Sequence, residues 1–266
     1  MKRVTRGARR CGHWVAVVST CSLMLVVATG PANSAGCALE PQGEGRVVEI
    51  IDARTFRLAD GREVVLAGIE PVVTEKARRT SALSAILAGR DVTLRGEDDT
   101  PDRYGRQPAF VFLRSSETLV QGQLLAQGEA LFSGAVTDKD CASVLTAAEA
   151  EARQAKRGTW AGPTAIKNAE SPGDILAGIG RFTVVEGRVL SVRQAGATTY
   201  LNFGRNWTRG FAATISRRMV AAFEAAGTGV KSFENRRIRV RGFVEARGGP
   251  RIELLRVGQV ELLGGN

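Results

Sequence analysis

The sequence predicts a mainly β (α+β) fold: a small β-barrel carrying three helices, followed by a second β-barrel. Three observations lead there. Short β-branched runs closed by Gly-containing turns occur in two groups, one in each half of the chain. A stretch mixing polar residues with Pro and Gly, residues 164–180, separates the groups and reads as a linker. Charge also changes there: residues 37–170 hold 17 Lys/Arg against 20 Asp/Glu, and residues 171–266 hold 15 against 7. The expected divisions are a signal peptide at 1–36, a first domain at 38–163, the linker, and a second domain at 181–264.

The first 36 residues read as an export signal. Lys2, Arg3, Arg6, Arg9 and Arg10 precede the apolar run Trp14–Val27, and small residues around Ala35 suit cleavage. The run is short for a membrane span, which takes about 20 residues. The only histidine in the chain, His13, lies inside this segment. Removing it excludes Ser-His-Asp and Cys-His catalysis and histidine-based zinc sites from the mature chain. Cys37 and Cys141 then remain as an even pair, expected as a disulfide in an oxidising compartment. The alternatives are two free thiols or a lipid on Cys37. The location expected is periplasmic or secreted.

In the first domain, Gly45–Ile51, Thr55–Leu58 and Glu63–Ile69 read as strands, the last two joined by the turn Asp60-Gly61. Lys76–Leu87 reads as a helix. Asp91–Arg95 and Pro108–Arg114 read as strands, and Glu117–Gln127 and Thr137–Arg157 as helices. In the second domain, Phe182–Val192, Thr198–Phe203 and Gly210–Ile215 read as strands, Ser216–Ala226 as a helix, and Arg236–Val244 and Arg251–Leu255 as strands. Val260–Leu263 extends the sheet. The order β-β-β-α-β-β is that of an OB-like barrel.

Four stretches of the first domain resemble the staphylococcal nuclease (thermonuclease-like) family. They are Ile51-Asp52-Ala53-Arg54-Thr55-Phe56-Arg57-Leu58, then Val65-Leu66-Ala67-Gly68-Ile69-Glu70, then Asp102-Arg103-Tyr104-Gly105-Arg106 with Ala109–Phe112, and lastly Leu119–Gly128 with Ala147 to Trp160. The resemblance implies an OB-type barrel with helices. It also implies calcium-dependent phosphodiester cleavage, in which carboxylates hold the metal, a glutamate assists water, and two arginines stabilise the phosphate charge. Carried over residue by residue, Asp52 keeps the first acidic position and Glu70 a second, while Arg54 stands where a metal-binding Asp is expected. Val65 replaces one arginine and Arg106 keeps the other. Val73 stands at the base position, and a two-residue slip would offer Glu75 instead. Repulsion of a divalent cation by Arg54 at ~4 Å and an effective dielectric of ~20 amounts to several kcal/mol. Glu70 is read either as a retained acidic metal ligand or as the ion-pair partner of Arg54 in an abandoned metal site, and Arg106 either as meeting substrate or as pairing with Asp102.

The second domain interleaves aromatic and basic residues. Tyr200, Phe203, Trp207, Arg205 and Arg209 cluster around its second and third strands, and Arg237, Arg239 and Arg241 alternate along a later one. That composition suits stacking of bases and steering of a phosphate backbone, with single-stranded DNA or RNA as partner. The arginine row also reads as a plain solvated face. The function expected is nucleic-acid binding with nuclease chemistry impaired or lost. The alternatives are a divergent calcium-dependent phosphodiesterase using Asp52, Glu70, Arg106 and possibly Glu75, and an envelope protein-interaction module. No cofactor is expected, apart from Ca2+ if the nuclease site works. Membrane contact is expected only through the signal segment or a lipidated Cys37.

Overall fold

A single bent strand organises the first barrel. In the computed structural model, which describes residues 1, 37, 39–72, 76–97, 99–206 and 208–264, β1 runs Glu40–Ile50. Its first half pairs with β5 (Asp91–Gly96) and its second half with β2 (Thr55–Leu58), with register shifts at Pro41/Gly43 and Val47/Glu49. Such bulges let one strand turn between two neighbours. β3 (Glu63–Leu66) pairs with β2 and also, in parallel, with β6 (Gln107–Leu113), which pairs back to β5. The ring β1-β2-β3-β6-β5 is a closed five-stranded barrel. Phe56, Leu58, Val64, Leu66, Val92, Leu94 and Phe112 fill it.

Helix α1 (Lys76–Leu87) connects the third and fourth barrel strands, with the bounds the apolar spacing predicts. The expected strand Glu63–Ile69 is divided: β3 ends at Leu66, and β4 (Ile69–Pro71) leaves the barrel to pair with β8 (Ala130–Phe132). The break falls at Gly68, whose φ of 77° only glycine adopts easily and whose missing Cβ would lie 2.9 Å from Val136. The expected helix 117–127 begins later, with the short strand β7 (Thr118–Leu119) preceding α2 (Val120–Gln127). α3 (Lys139–Gln154) is capped by Asp138, whose side chain accepts from the Cys141 N–H. Cys141, on this helix, forms the expected disulfide with Cys37, so the Cys37 sulfur is bonded to protein.

Residues 164–180 are more than a connector. They hold β9 (Ile166–Asn168), paired in parallel with β10 (Phe182–Arg188), and α4 (Pro172–Leu176). The Pro and Gly that mark a linker here serve a helix start and its exit. The expected strand 182–192 is two strands, β10 and β11 (Ser191–Ala195), bent at Val189-Leu190. β11 pairs with β12 (Thr198–Asn202), β12 with β13 (Ala212–Ser216), β13 in parallel with β15 (Pro250–Leu254), β15 with β14 (Arg237–Ala246), and β14 with β10. Helix α5 (Arg217–Ala225), capped by Ser216, lies between β13 and β14. β16 (Val260–Leu262) adds to β14. Leu201, Ile215, Phe223, Phe233, Ile238, Val240, Ile252 and Leu254 form the second core.

A third, smaller cluster of Leu131, Ala152, Trp160 and Val184 joins residues of both halves, and residues 34–266 form one compact unit. Gly134 and Gly258 meet backbone to backbone at this seam, where a Cβ on Gly134 would lie 2.5 Å from the Gly258 carbonyl oxygen. Among the described residues no helix is long and apolar enough to cross a membrane.

Candidate functional site

The tight turn after β1 places the first group. The Asp52 carboxylate accepts from the Arg54 N–H at 2.8 Å, which fixes the turn and aims the Arg54 side chain toward β4. There Arg54 Nη1 donates to Glu70 Oε1 at 2.7 Å and to the Ile69 carbonyl at 3.5 Å. The Arg54–Glu70 pair is therefore formed, with both side chains largely covered. Burial raises the Glu70 carboxyl above its ordinary value, and the Arg54 charge and hydrogen bond pull it part of the way back. Val65 sits in the barrel wall, buried.

Arg106 is held from two sides. Its Nε and Nη2 donate to Asp102 Oδ2 at 2.9 and 2.7 Å, while Asp102 Oδ1 accepts from the backbone N–H of Tyr104 and Arg106. Burial pushes the Asp102 carboxyl up, but these hydrogen bonds outweigh it and hold the group below its ordinary value. Tyr104 is exposed and lies under the guanidinia of Arg103 and Arg106, 4.7 and 5.1 Å from its ring centre. Val73 and Glu75 lie outside the described residues. Among the described residues no group of three or more His, Cys, Asp or Glu could hold a metal ion.

The Arg54–Glu70 pair carries a measurable sign. A carboxyl raised in the folded state stabilises the fold below its unfolded value, and that contribution is lost as pH rises through the raised folded value. Arg54→Met removes the opposing charge. The Glu70 titration should then move further upward, read from the carboxyl carbon shift in an NMR pH series. An unmoved or lowered titration would mean that Arg54 does not face Glu70 in solution.

The residues proposed for nucleic acid separate in the second half. Phe203 is core, packed on Phe211 with ring centres 5.0 Å apart, and is not available for stacking. Arg239 and Arg241 are also buried, because their face of β14 turns toward carboxylates and not toward solvent. Arg239 pairs with Glu186 and Glu261, and Arg241 with Glu149 of α3 at 2.9 Å. These two are structural arginines. Arg237 is exposed and lines a hollow with Glu186 and Arg188. Arg205 and Arg209 are exposed and line another hollow, beside Phe203 and Gly210. Trp207 lies outside the described residues.

Tyr200 alone of that set lines a groove of about 440 Å³ on the outer face of β11, β12, β13, β14 and β15. Strand register sets its floor. Arg193 pairs with Tyr200, Tyr200 with Thr214, and Thr214 with Glu253, which makes one continuous row across four strands. Arg247 and Arg251 complete the basic lining. Arg251 is buried, and its Nη1 donates to the carbonyls of Gly210 and Pro250 at 2.7 and 2.9 Å. Burial lowers it from its ordinary value, with Tyr200 opposing. The sequence reading missed Arg193, Arg247 and Arg251. The alternation Val192-in, Arg193-out beside Tyr200-out, Leu201-in is the signal that finds the first of them.

Charge availability differs between the halves. Arg46, Arg54, Arg57, Arg62, Arg95, Arg106 and Arg114 each lie within 4.0 Å of a carboxylate. Among the described residues, Arg193, Arg205, Arg209, Arg217, Arg218 and Arg237 take part in no such pair.

Comparison with known proteins places part of this geometry. The family model described as staphylococcal nuclease homologue matches residues 74–162. The match covers α1, β5, β6, α2, α3 and the Asp102–Arg106 turn. It starts beyond Arg54 and Glu70 and ends before the groove. No curated protein matches the chain.

Proposed function

We propose that this is an exported protein that binds single-stranded nucleic acid on the outer groove of its second barrel, and that its nuclease-like first barrel no longer hydrolyses phosphodiesters. The strand order and the helix between third and fourth strands support reading the second barrel as OB-like, with domain limits near 38–163 and 181–264. The observation that carries the binding reading is the groove itself, where Tyr200 lies beside Arg193, an exposed arginine that takes part in no ion pair among the described residues. A half-buried ring lining a groove, with a cation beside it, is what base stacking and backbone steering require. The disulfide is compatible with export. Loss of hydrolysis is supported by Arg54 holding Glu70 and Asp102 holding Arg106, since a guanidinium at the acidic position opposes a divalent cation.

The test uses the purified chain with a labelled single-stranded 15-mer. Anisotropy should report binding that weakens steeply from low to physiological salt, as release of counterions requires. Incubation with calcium should leave the oligonucleotide intact. Calcium-dependent cleavage abolished by Arg106→Ala would establish the phosphodiesterase reading instead. Absence of any salt-sensitive binding would move the protein to the class of envelope interaction modules.

A further inference from the structure

We infer that Glu253 makes the groove selective for bases that carry an exocyclic amino group, cytosine and adenine, over thymine and uracil. The inference rests on the binding reading above and goes beyond it by assigning the specificity residue.

Tyr200, Thr214 and Glu253 are direct cross-strand neighbours on one face, so the backbone at Glu253 lies two strand spacings, about 10 Å, from that at Tyr200. A base stacked on the Tyr200 ring extends over the short Thr214 side chain, and its far edge meets Glu253. Both residues line the groove, and Glu253 is exposed. The groove has a second carboxylate, Glu245, but Arg247 holds it at 3.0 Å. Among the described residues no ion pair takes the Glu253 carboxylate. On the opposite side of Tyr200, Arg193 stands ready for phosphate. The row therefore orders cation, ring, small spacer and acceptor.

A carboxylate only accepts hydrogen bonds. It pairs with the N4 amino group of cytosine or the N6 amino group of adenine, and it faces an oxygen when thymine or uracil presents O4. Discrimination therefore comes from repulsion of the wrong base as much as from attraction of the right one.

The experiment measures dissociation constants of the full mature chain for labelled dC15 and dT15 at fixed salt, in wild type and Glu253→Gln. Wild type should prefer dC15 by about fivefold or more, the low end for a base-edge contact. In Glu253→Gln the amide both donates and accepts, so the ratio should fall toward one even as both affinities rise with the lost negative charge. Equal affinities in wild type, or a preference that survives Glu253→Gln, would overturn this inference and leave the binding reading standing. Failure of both oligonucleotides to bind would overturn the binding reading itself. Glu253 is exposed, and matching thermal midpoints for the two proteins confirm that the comparison is between folded chains.

Discussion

Glu149→Ala should lower the unfolding free energy by about 3–5 kcal/mol, the cost of stranding a buried charge. Glu149 has no exposed surface, and it serves three donors from two parts of the chain. Its Oε1 accepts from the Phe132 N–H at 2.8 Å, and both oxygens accept from Arg241 Nη1 at 3.1 and 2.9 Å. Arg153, one turn on, approaches Oε2 at 3.5 Å. Arg241, itself only 2% exposed, also donates to the Phe132 carbonyl at 2.9 Å. Removing Glu149 leaves the buried Arg241 guanidinium with the partly exposed Glu261 carboxylate, at 3.5 Å, as its remaining ion-pair partner among the described residues. The double variant Glu149→Leu with Arg241→Met should be far milder than either single change, because apolar replacement removes both desolvation costs. Urea unfolding of Glu149→Ala, Arg241→Met and the double variant checks this. A single variant within about 0.5 kcal/mol of wild type, the range of ordinary surface changes, would contradict the pairing.

The second large effect belongs to the disulfide. Cys37 and Cys141 are 104 residues apart, and closing a loop of that size stabilises by up to about 4.7 kcal/mol in the chain-entropy account, with measured removals of native bonds costing about 2–5 kcal/mol. The Cys37→Ser/Cys141→Ser variant should lose stability in that range under oxidising conditions. Wild type in reductant should fall toward the same midpoint. An unchanged midpoint in both would show that the bond is absent from the native chain. Both sulfurs are buried in the first core, so part of the cost is packing.

The sequence reading succeeded where periodicity and turn chemistry act locally. The turn at Gly61, helix 76–87 and the helix read at Ser216–Ala226 follow from residues within a few positions of one another. It failed where pairing is long-range. β4 and β8 are three residues each and exist because they meet across 60 positions, which no local pattern encodes. The stretch read as a linker at 164–180 shows the same limit: it holds β9, which β10 stabilises, and nothing in Ile166-Lys167-Asn168 announces a partner.

The candidate site shows the same division. The Arg54–Glu70 and Asp102–Arg106 pairs were legible because each replaces or retains a charge within a recognisable motif. Arg239 and Arg241 were misread because alternation gives the face of a strand but not what covers that face. Here α3 supplies Glu149 to Arg241, which ties the two halves together, while Arg239 is held within the second half by Glu186 and Glu261. Phe203 was misread in the same way, since Phe211 completes its packing from across a loop.

On the proposed function, Tyr200 is the stacking surface of the single-strand groove. The most direct measurement is the affinity of Tyr200→Ala for a labelled single-stranded 15-mer, beside wild type at one salt concentration. The variant should bind more weakly by about 1–3 kcal/mol, the contribution of one stacked base, with its thermal midpoint close to that of wild type. Unchanged affinity in a folded Tyr200→Ala protein would contradict the account and place any nucleic-acid contact elsewhere on the chain.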